Sequence, residues 1–214
     1  MYADGSVEER TFSDGAKNGP AKMSGANGDI FEFQYVGGVM EGPSRYSWPS
    51  GQWEEATYVG GLKSGPGLEV SAGGDREERR WVDGVLQGPA TLTGANGDRV
   101  EFSYEAGLRE GSAVYTFSDG SVETSCYQAG HQTGPAKFVW ANGAVREGVK
   151  REGQWEGEVF YTYTEGPRAG KKDLEVWAGG KMESSKKYYG AGEEVLVEKW
   201  EDLNKLENLT QPES

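Results

Sequence analysis

Glycine recurs along this chain every 23 residues, in three registers at once. Gly19, Gly42, Gly65, Gly88, Gly111, Gly134 and Gly157 form the first. Gly5, Gly28, Gly51, Gly74, Gly97, Gly120, Gly143 and Gly166 form the second, and Gly15, Gly38, Gly61, Gly84, Gly107, Gly130 and Gly153 the third. Together they take 22 of the 34 glycines. A chain with so strict a repeat cannot organise itself around one thick centre. It stacks like units, each burying apolar groups against its neighbours. Gly180 falls four residues late for the third register, which places an insertion in the last unit near Pro167–Lys171.

Each register suggests a backbone task. Asn27-Gly28, Asn96-Gly97, Asp119-Gly120 and Asn142-Gly143 are the pairs favoured in two-residue hairpin turns, where both positions need positive φ. About seven residues flank each pair, one strand's length. The third register, as in Val36-Gly37-Gly38 or Val82-Asp83-Gly84, marks the turn out of the second strand. Proline follows the first-register glycine at Pro20, Pro43, Pro66, Pro89 and Pro135, and suits a strand start because it has no N–H to leave unpaired. One unit is therefore a β-hairpin. The expected fold is all-β: an elongated, single-layer, twisted antiparallel sheet of about fifteen strands. It spans residues 1–180 as about seven units. The first is incomplete, because Tyr2 holds the position of Trp48, Phe117 and Trp140.

Composition agrees with a thin sheet. Hydrophobic residues make up only 35% of the 214, yet 25 are aromatic. No stretch approaches the roughly 18 apolar residues of a membrane helix, and the start, MYADGSVEERTF, has no secretory signal. Cys126 and His131 stand alone. They form no internal disulfide or Cys/His zinc site and leave little for imidazole catalysis. A net charge of -13 repels nucleic acid and acidic lipid. The expectation is a cytoplasmic protein, with the nucleus as alternative, that uses no cofactor or metal and binds no nucleic acid.

Aromatics fall in two rows. Tyr35, Tyr58, Trp81, Tyr104 and Tyr127 close successive units, with Lys150 next in line, and are expected to pack repeat on repeat. Tyr46 and Trp48, Tyr115 and Phe117, Phe138 and Trp140, and Tyr161 and Tyr163 come early in their units. These eight are the candidate partner-binding residues, lining an exposed groove for a peptide or helix. Which row faces inward stays open, since one residue of register swaps the faces. Glu32, Glu55, Glu78, Glu101 and Glu147 recur at one repeat position, which marks them as architectural. No catalytic residue is expected, and the chain is not read as an enzyme. The run Asp75–Arg80 is charged on both faces and reads as a solvated strand with cross-strand ion pairs. Lys171-Lys172 and Lys186-Lys187 are weak lipid-phosphate candidates. Cys126 has no basic neighbour and reads as an inert thiol.

After Gly192 the turn glycines stop. Leu196, Trp200, Leu203 and Leu206 take helical spacing. The expectation is a connector over 181–192, an amphipathic helix over 193–209 that caps the last strand or docks on a partner, and a frayed tail over 210–214.

An aromatic strand followed by Gly-x-x-x-Gly-x-[Ala/Gly], with period 23, resembles the MORN repeat over about residues 1–180. The family's middle glycine survives here only as Gly148, being replaced by Phe33, Ala56, Arg79, Phe102 and Ser125. Its final glycine is Ala21, Ser44, Ala90, Ala113 or Ala136, with Gly67 the exception. Residues 143–183 resemble the MORN region that precedes the SET domain of lysine methyltransferases, but no SET motif follows. The resemblance implies a non-enzymatic scaffold or adaptor for a protein partner. Alternatives are a non-catalytic relative or N-terminal fragment of such a methyltransferase, and peripheral membrane or phosphoinositide binding.

Overall fold

The computed structural model describes residues 1–189 and 193–197, with side chains through Ser185. The chain divides into two compact units, Met1–Leu108 and the residues from Arg109 onward. The first contains β1 (Val7–Ser13), β2 (Ala16–Ser24), β3 (Ile30–Val36), β4 (Val39–Met40), β5 (Gly42–Ser47), β6 (Trp53–Val59), β7 (Leu62–Val70), β8 (Arg76–Val82), β9 (Val85–Leu86), β10 (Gly88–Thr93) and β11 (Arg99–Glu105). The second contains β12 (Leu108–Thr116), β13 (Val122–Gln128), β14 (His131–Gln132), β15 (Gly134–Val139), β16 (Val145–Arg151), β17 (Gln154–Thr162), β18 (Lys172–Ala178), β19 (Lys181–Tyr189) and β20 (Glu193–Val197). Within each unit, consecutive strands pair antiparallel in one open sheet of hairpins. The all-β repeat architecture expected from glycine spacing is therefore observed.

The turn types are exchanged relative to expectation. At the second register the loop has three residues: Trp48 N–H donates to Gln52 O at 2.9 Å, and Gly51 N–H to Trp48 O at 3.0 Å. Only the glycine has positive φ, 90° at Gly51 and 92° at Gly28. The preceding Asn or Asp keeps ordinary backbone angles and works through its side chain. Asn27 Oδ1 accepts from Asp29 N at 3.2 Å, and Asp119 Oδ1 from Ser121 N at 2.8 Å. Asn and Asp were selected for that side-chain acceptor rather than for left-handed backbone. The two-residue turns with positive φ at both positions lie in the third register, for example Gly37 (59°) and Gly38 (89°) or Asp83 (47°) and Gly84 (84°). Ala106, Ala129 and Glu152 take the same left-handed place at φ near 50°.

First-register glycines also sit inside the strand path. Gly42, at φ 83°, follows a break at which Glu41 N donates to Gln34 O, so β4 and β5 are one strand interrupted by a bulge. Pro43 comes after the bulge rather than at the start of a unit. The residue before that glycine has a second role, binding the next turn. Glu41 Oε2 accepts from Gly60 N at 2.8 Å, Gln87 Oε1 from Ala106 N at 3.0 Å, and Glu110 Oε2 from Ala129 N at 2.7 Å. Main-chain bonds run alongside, Gly61 N to Met40 O at 3.0 Å and Gly153 N to Gln132 O at 2.8 Å. Successive turns are thus laced together, which satisfies donors that a bare turn leaves open.

Little is fully buried. Ala21, Ala56 and Ala90 in the first unit, and Ala113, Ala136 and Val159 in the second, form a small-residue floor. A one-layer sheet has room for little more, which accounts for the scarcity of aliphatics. The expected insertion is observed as the loop Tyr163–Lys171, closed by Tyr163 N to Lys171 O and containing a short 3-10 turn at Gly166–Arg168. Two expectations at the C-terminal side need correction. Most of the presumed connector is strand β19, and the presumed helix begins with Glu193–Val197 as strand β20, antiparallel to β19. β-branched Val195 and Val197 suit that pairing, and it satisfies an edge that β19 would otherwise leave open. The remainder of the helix, 198–209, and the tail 210–214 lie outside the described residues.

Candidate functional site

Both aromatic rows occupy the same face of the sheet. Ser44 pairs with Ala56, Tyr46 with Glu54, and Gly42 with Tyr58. Residues two apart on a strand share a face, so Tyr46 and Trp48 point to the same side as Tyr58. The rows do not divide between an inner and an outer face. They instead stand at opposite ends of one trough, with Ser44 and Ala56 between them.

In the second unit the early row becomes a continuous ladder. Ring centroids are 6.5 Å apart between Tyr115 and Phe117, 5.6 Å between Phe117 and Phe138, and 4.7 Å between Phe138 and Trp140. The series continues at 5.2 Å from Trp140 to Tyr161 and 4.6 Å from Tyr161 to Tyr163. Six of the eight candidate residues therefore form one run of rings, all partly exposed. β12, β15 and β17 deliver them, each strand ending in an aromatic-x-aromatic step before its loop.

Charges are built into this face, and residue spacing alone did not single them out. The Arg146 guanidinium lies 5.5 Å from the Trp140 ring centroid, 5.6 Å from Tyr161 and 5.3 Å from Trp177, and its Nη2 reaches Glu175 Oε1 at 3.3 Å. Lys150 stands where Tyr127 would recur; its Nζ donates to Glu123 Oε1 at 2.6 Å and lies 5.2 Å over Trp155. Gln132 Nε2 also donates to Glu123, at 2.8 Å. At the ladder's end Tyr163 donates its hydroxyl to Asp173 Oδ2 at 2.7 Å, while Arg168 pairs with Asp173 and lies 4.2 Å over the Tyr163 ring. Burial, with the Asp173 hydrogen bond second, pushes the Tyr163 phenol well above its ordinary pKa. Tyr115 is raised by burial and by its hydroxyl contact with Tyr127. The ladder is thus held by polar contacts at both ends, and Tyr115 and Tyr163 stay protonated through neutral pH. The signal in the sequence was parity: Arg146, Lys150 and Glu175 fall on the positions that share a face with the aromatics.

Tyr46 and Trp48 belong to the first unit and to its own cluster. Their rings are 4.5 Å apart, and Phe31 lies 5.7 Å from Tyr46 and 6.1 Å from Tyr58. With Ser44, Ala56, Glu54 and Lys63 they line a cavity of about 320 Å³. Lys63 Nζ reaches Glu54 at 2.7 Å, and Arg79 bridges Glu54 at 3.1 Å and Glu69 at 2.6 Å. The cross-strand ion pairs expected at Asp75–Arg80 are present through Arg79. The opposite face carries a shallow groove of about 680 Å³ that includes Pro43, Pro66, Pro89, Glu55 and Glu78. There the recurring glutamates meet cations, Glu55 with Arg45 at 2.7 Å and Glu101 with Arg99 at 2.7 Å. Among the described residues no group of three or more His, Cys, Asp or Glu is arranged to hold a metal. No helix among them is long and apolar enough to cross a membrane.

The family model for the MORN repeat matches residues 11–30, 34–53, 55–76, 80–99, 103–122 and 125–145, more than half of the chain. The chain belongs to the MORN repeat family. In the structure antiparallel strand pairing continues past the last matched residue, through β17, β18 and β19. No curated protein matches the chain. Among solved structures, the SAS-4 (dCPAP) TCP domain of Drosophila melanogaster, in complex with a proline-rich motif of Ana2 (dSTIL), is similar at 15% identity and a TM-score of 0.45. That match covers 81% of this chain and 92% of that one. The E1021V mutant of the TCP10 domain of Danio rerio CPAP is similar at 14% identity and a TM-score of 0.33, covering 87% and 97%. Similarity at these levels carries no information on function.

Proposed function

We propose that the chain is a non-enzymatic binding scaffold, and that the ladder from Tyr115 to Tyr163 seats an extended, basic, proline-rich segment of a protein partner. The observation that carries this is the ladder's continuity together with its period. Equivalent rings Phe117, Trp140 and Tyr163 recur every second strand, which at about 4.8 Å per strand is about 9.6 Å. A polyproline II helix returns to the same face every three residues, about 9.3 Å. Laid across the strands, such a segment drifts only about 0.3 Å per ring. An α-helix repeats its face about every 10.5 Å per heptad and drifts three times as fast. The three-residue loops bordering the ladder, 118–120 and 141–143, hold Asp119 and no Lys or Arg. The next loop, Tyr163–Lys171, holds Glu165 together with Lys171 and with Arg168, which pairs with Asp173. The net charge of -13 on the chain, rather than the loops themselves, favours a segment carrying Lys or Arg.

Tryptophan fluorescence titration of the intact chain tests the reading, using a peptide with proline at every third position and flanking lysines. A permuted peptide of identical composition is the control. The regular peptide is expected to bind about tenfold tighter. Trp140→Ala is expected to weaken it about 3- to 10-fold, the worth of one aromatic contact. Equal binding of both peptides, or no effect of Trp140→Ala, removes the proposal.

A further inference from the structure

Of the four Asn-Gly dipeptides, Asn18-Gly19 lies within strand β2, and the other three lie in exposed loops at one repeat position: Asn27-Gly28, Asn96-Gly97 and Asn142-Gly143. An unhindered glycine nitrogen can attack the preceding asparagine side chain, and sequence alone ranks the three sites alike. The structure does not. We propose that, of these three loop sites, Asn142 is the one at which the folded protein deamidates spontaneously, and that Asn27 and Asn96 are held against it.

The backbone of the three loops is the same. The attacking nitrogen donates to the carbonyl three residues back, at 3.0 Å for Gly28, 2.9 Å for Gly97 and 2.8 Å for Gly143. Each asparagine Oδ1 accepts from the N–H two residues on, at 3.2, 3.1 and 3.1 Å. The difference lies in the residue at that second position. Asn27 Nδ2 donates to Asp29 Oδ2 at 2.8 Å, and Asn96 Nδ2 to Asp98 Oδ2 at 2.8 Å. Asn142 has Ala144 there, which offers no side-chain acceptor. The Thr164 hydroxyl bonds the Asn142 main-chain oxygen at 2.8 Å and leaves the side chain with its single tether.

Cyclisation requires the Asn142 side chain to swing so that Cγ meets Gly143 N. The N–Cγ bond forms, the Cγ–Nδ2 bond breaks, and ammonia departs carrying the former amide proton. One water then opens the succinimide at either carbonyl, giving Asp or isoaspartate, with no oxidant or reductant involved. At Asn27 and Asn96 a charge-assisted hydrogen bond must break first, and the neighbouring carboxylate repels the developing negative charge on the ring. One such bond slows the step about tenfold or more. The Asp product fits the loop, because Asp4 and Asp119 hold this repeat position elsewhere, Asp119 with the same 2.8 Å acceptor bond. The isoaspartyl product adds a main-chain atom to the loop that follows Trp140.

The test ages the intact protein at neutral pH and maps peptides by mass spectrometry with isoaspartate detection. Asn142 is expected to convert about tenfold or more faster than Asn27 and Asn96. Ala144→Asp is expected to slow Asn142 to their rate, Asp29→Ala to raise Asn27 to that of Asn142, and full denaturation in urea to bring the three together. Equal rates in the folded protein, faster conversion at Asn27 or Asn96, an unaltered rate in Ala144→Asp, or the same ranking in urea overturns the proposal.

Discussion

Gly148→Ala is the sharpest test of how the repeat is packed. Gly148 stands in the column held by Phe33, Ala56, Arg79, Phe102 and Ser125, whereas Val159 stands in the column of Ala21, Ser44, Gly67, Ala90, Ala113 and Ala136. The largest member of the second column therefore lies beside the smallest of the first. A Cβ on Gly148 would fall 2.9 Å from Val159 Cγ2, 3.1 Å from Glu158 O and 3.2 Å from Val159 Cα. Its φ is not left-handed, so alanine is acceptable to the backbone and should gain about 0.5–1 kcal/mol over glycine in a strand. Overpacking costs about 1–3 kcal/mol, and the upper half, about 2–3 kcal/mol, applies because two of the three close atoms are main chain. The net loss is about 1–2.5 kcal/mol. Val159, fully buried, loses two methyl groups on truncation to alanine, about 2 kcal/mol with the cavity included. In the double variant the Cγ2 clash disappears while the two main-chain contacts remain. The combined loss should fall short of the sum by about 1 kcal/mol, in the range seen for touching residues. Urea unfolding followed by tryptophan fluorescence, with m unchanged, reads each value. A neutral or stabilising Gly148→Ala, or losses that add to within about 0.5 kcal/mol, would refute the packing argument.

Gly67→Ala should cost about 1–3 kcal/mol by overpacking, because its Cβ would meet Trp81 Nε1 at 2.9 Å and Glu55 O at 3.2 Å; near-ultraviolet circular dichroism should report the displaced indole. Ala106→Asn and Ala129→Asn, both at positive φ, should each add roughly 0.5–1 kcal/mol in urea unfolding, since Asn tolerates left-handed backbone better. Arg146→Ala leaves Glu175, only 11% exposed, without its cation, and should destabilise by about 3 kcal/mol in the same assay. Glu8 is held near pKa about 2, against an ordinary 4.5, because hydrogen bonds from Tyr2, Tyr35 and Lys17 outweigh its burial. A depressed folded pKa contributes stability that is complete above the ordinary value and fades as pH falls through it toward 2. Glu8→Gln should therefore lower stability at pH 6 and flatten its loss between pH 4.5 and 2, measured as unfolding midpoint against pH.

How far the residues foretold the structure differs between glycines and charges. The 23-residue spacing led to hairpins, antiparallel order and the insertion at Tyr163–Lys171, because positive φ is a demand that few residues meet. It misassigned which turn was which. Asn-Gly satisfies a two-residue turn and a three-residue loop equally well by type, and Ala106-Gly107 and Glu152-Gly153 carry the weaker-looking signature at the true two-residue turns. Arg146 and Lys150 were missed for another reason. Charged residues on a strand read as solvent-facing unless their parity with the aromatics is followed across the turn. The stretch 193–197 shows a third limit: Val195-Leu196-Val197 suits a helix by spacing and a strand by branching, and an unpaired β19 decides between them through tertiary pairing.

Repetition fixes shape, whereas departures from repetition carry specificity. At the position just before the three-residue loop the first unit reads Tyr2, Gly25, Trp48, Ser71, Gly94, and the second reads Phe117, Trp140, Tyr163. Two residues earlier the first unit has Met23, Tyr46, Glu69 and Leu92, against Tyr115, Phe138 and Tyr161. The same backbone thus displays an interrupted aromatic row in one unit and an unbroken one in the other. Architecture does not require the difference, since β5 and β10 form equally well with Trp48 or Gly94 at their ends. An aromatic kept in every repeat of one unit, at a position that folding leaves free, is the pattern expected if the proposed segment is seated there. The cations on this face are departures of the same kind. Lys150 fills a place that Tyr35, Tyr58, Trp81, Tyr104 and Tyr127 give to a ring, and pairs with Glu123. Arg146 fills one held by Glu54, Glu77 and Glu123, lies against Trp140 and Tyr161, and pairs with Glu175.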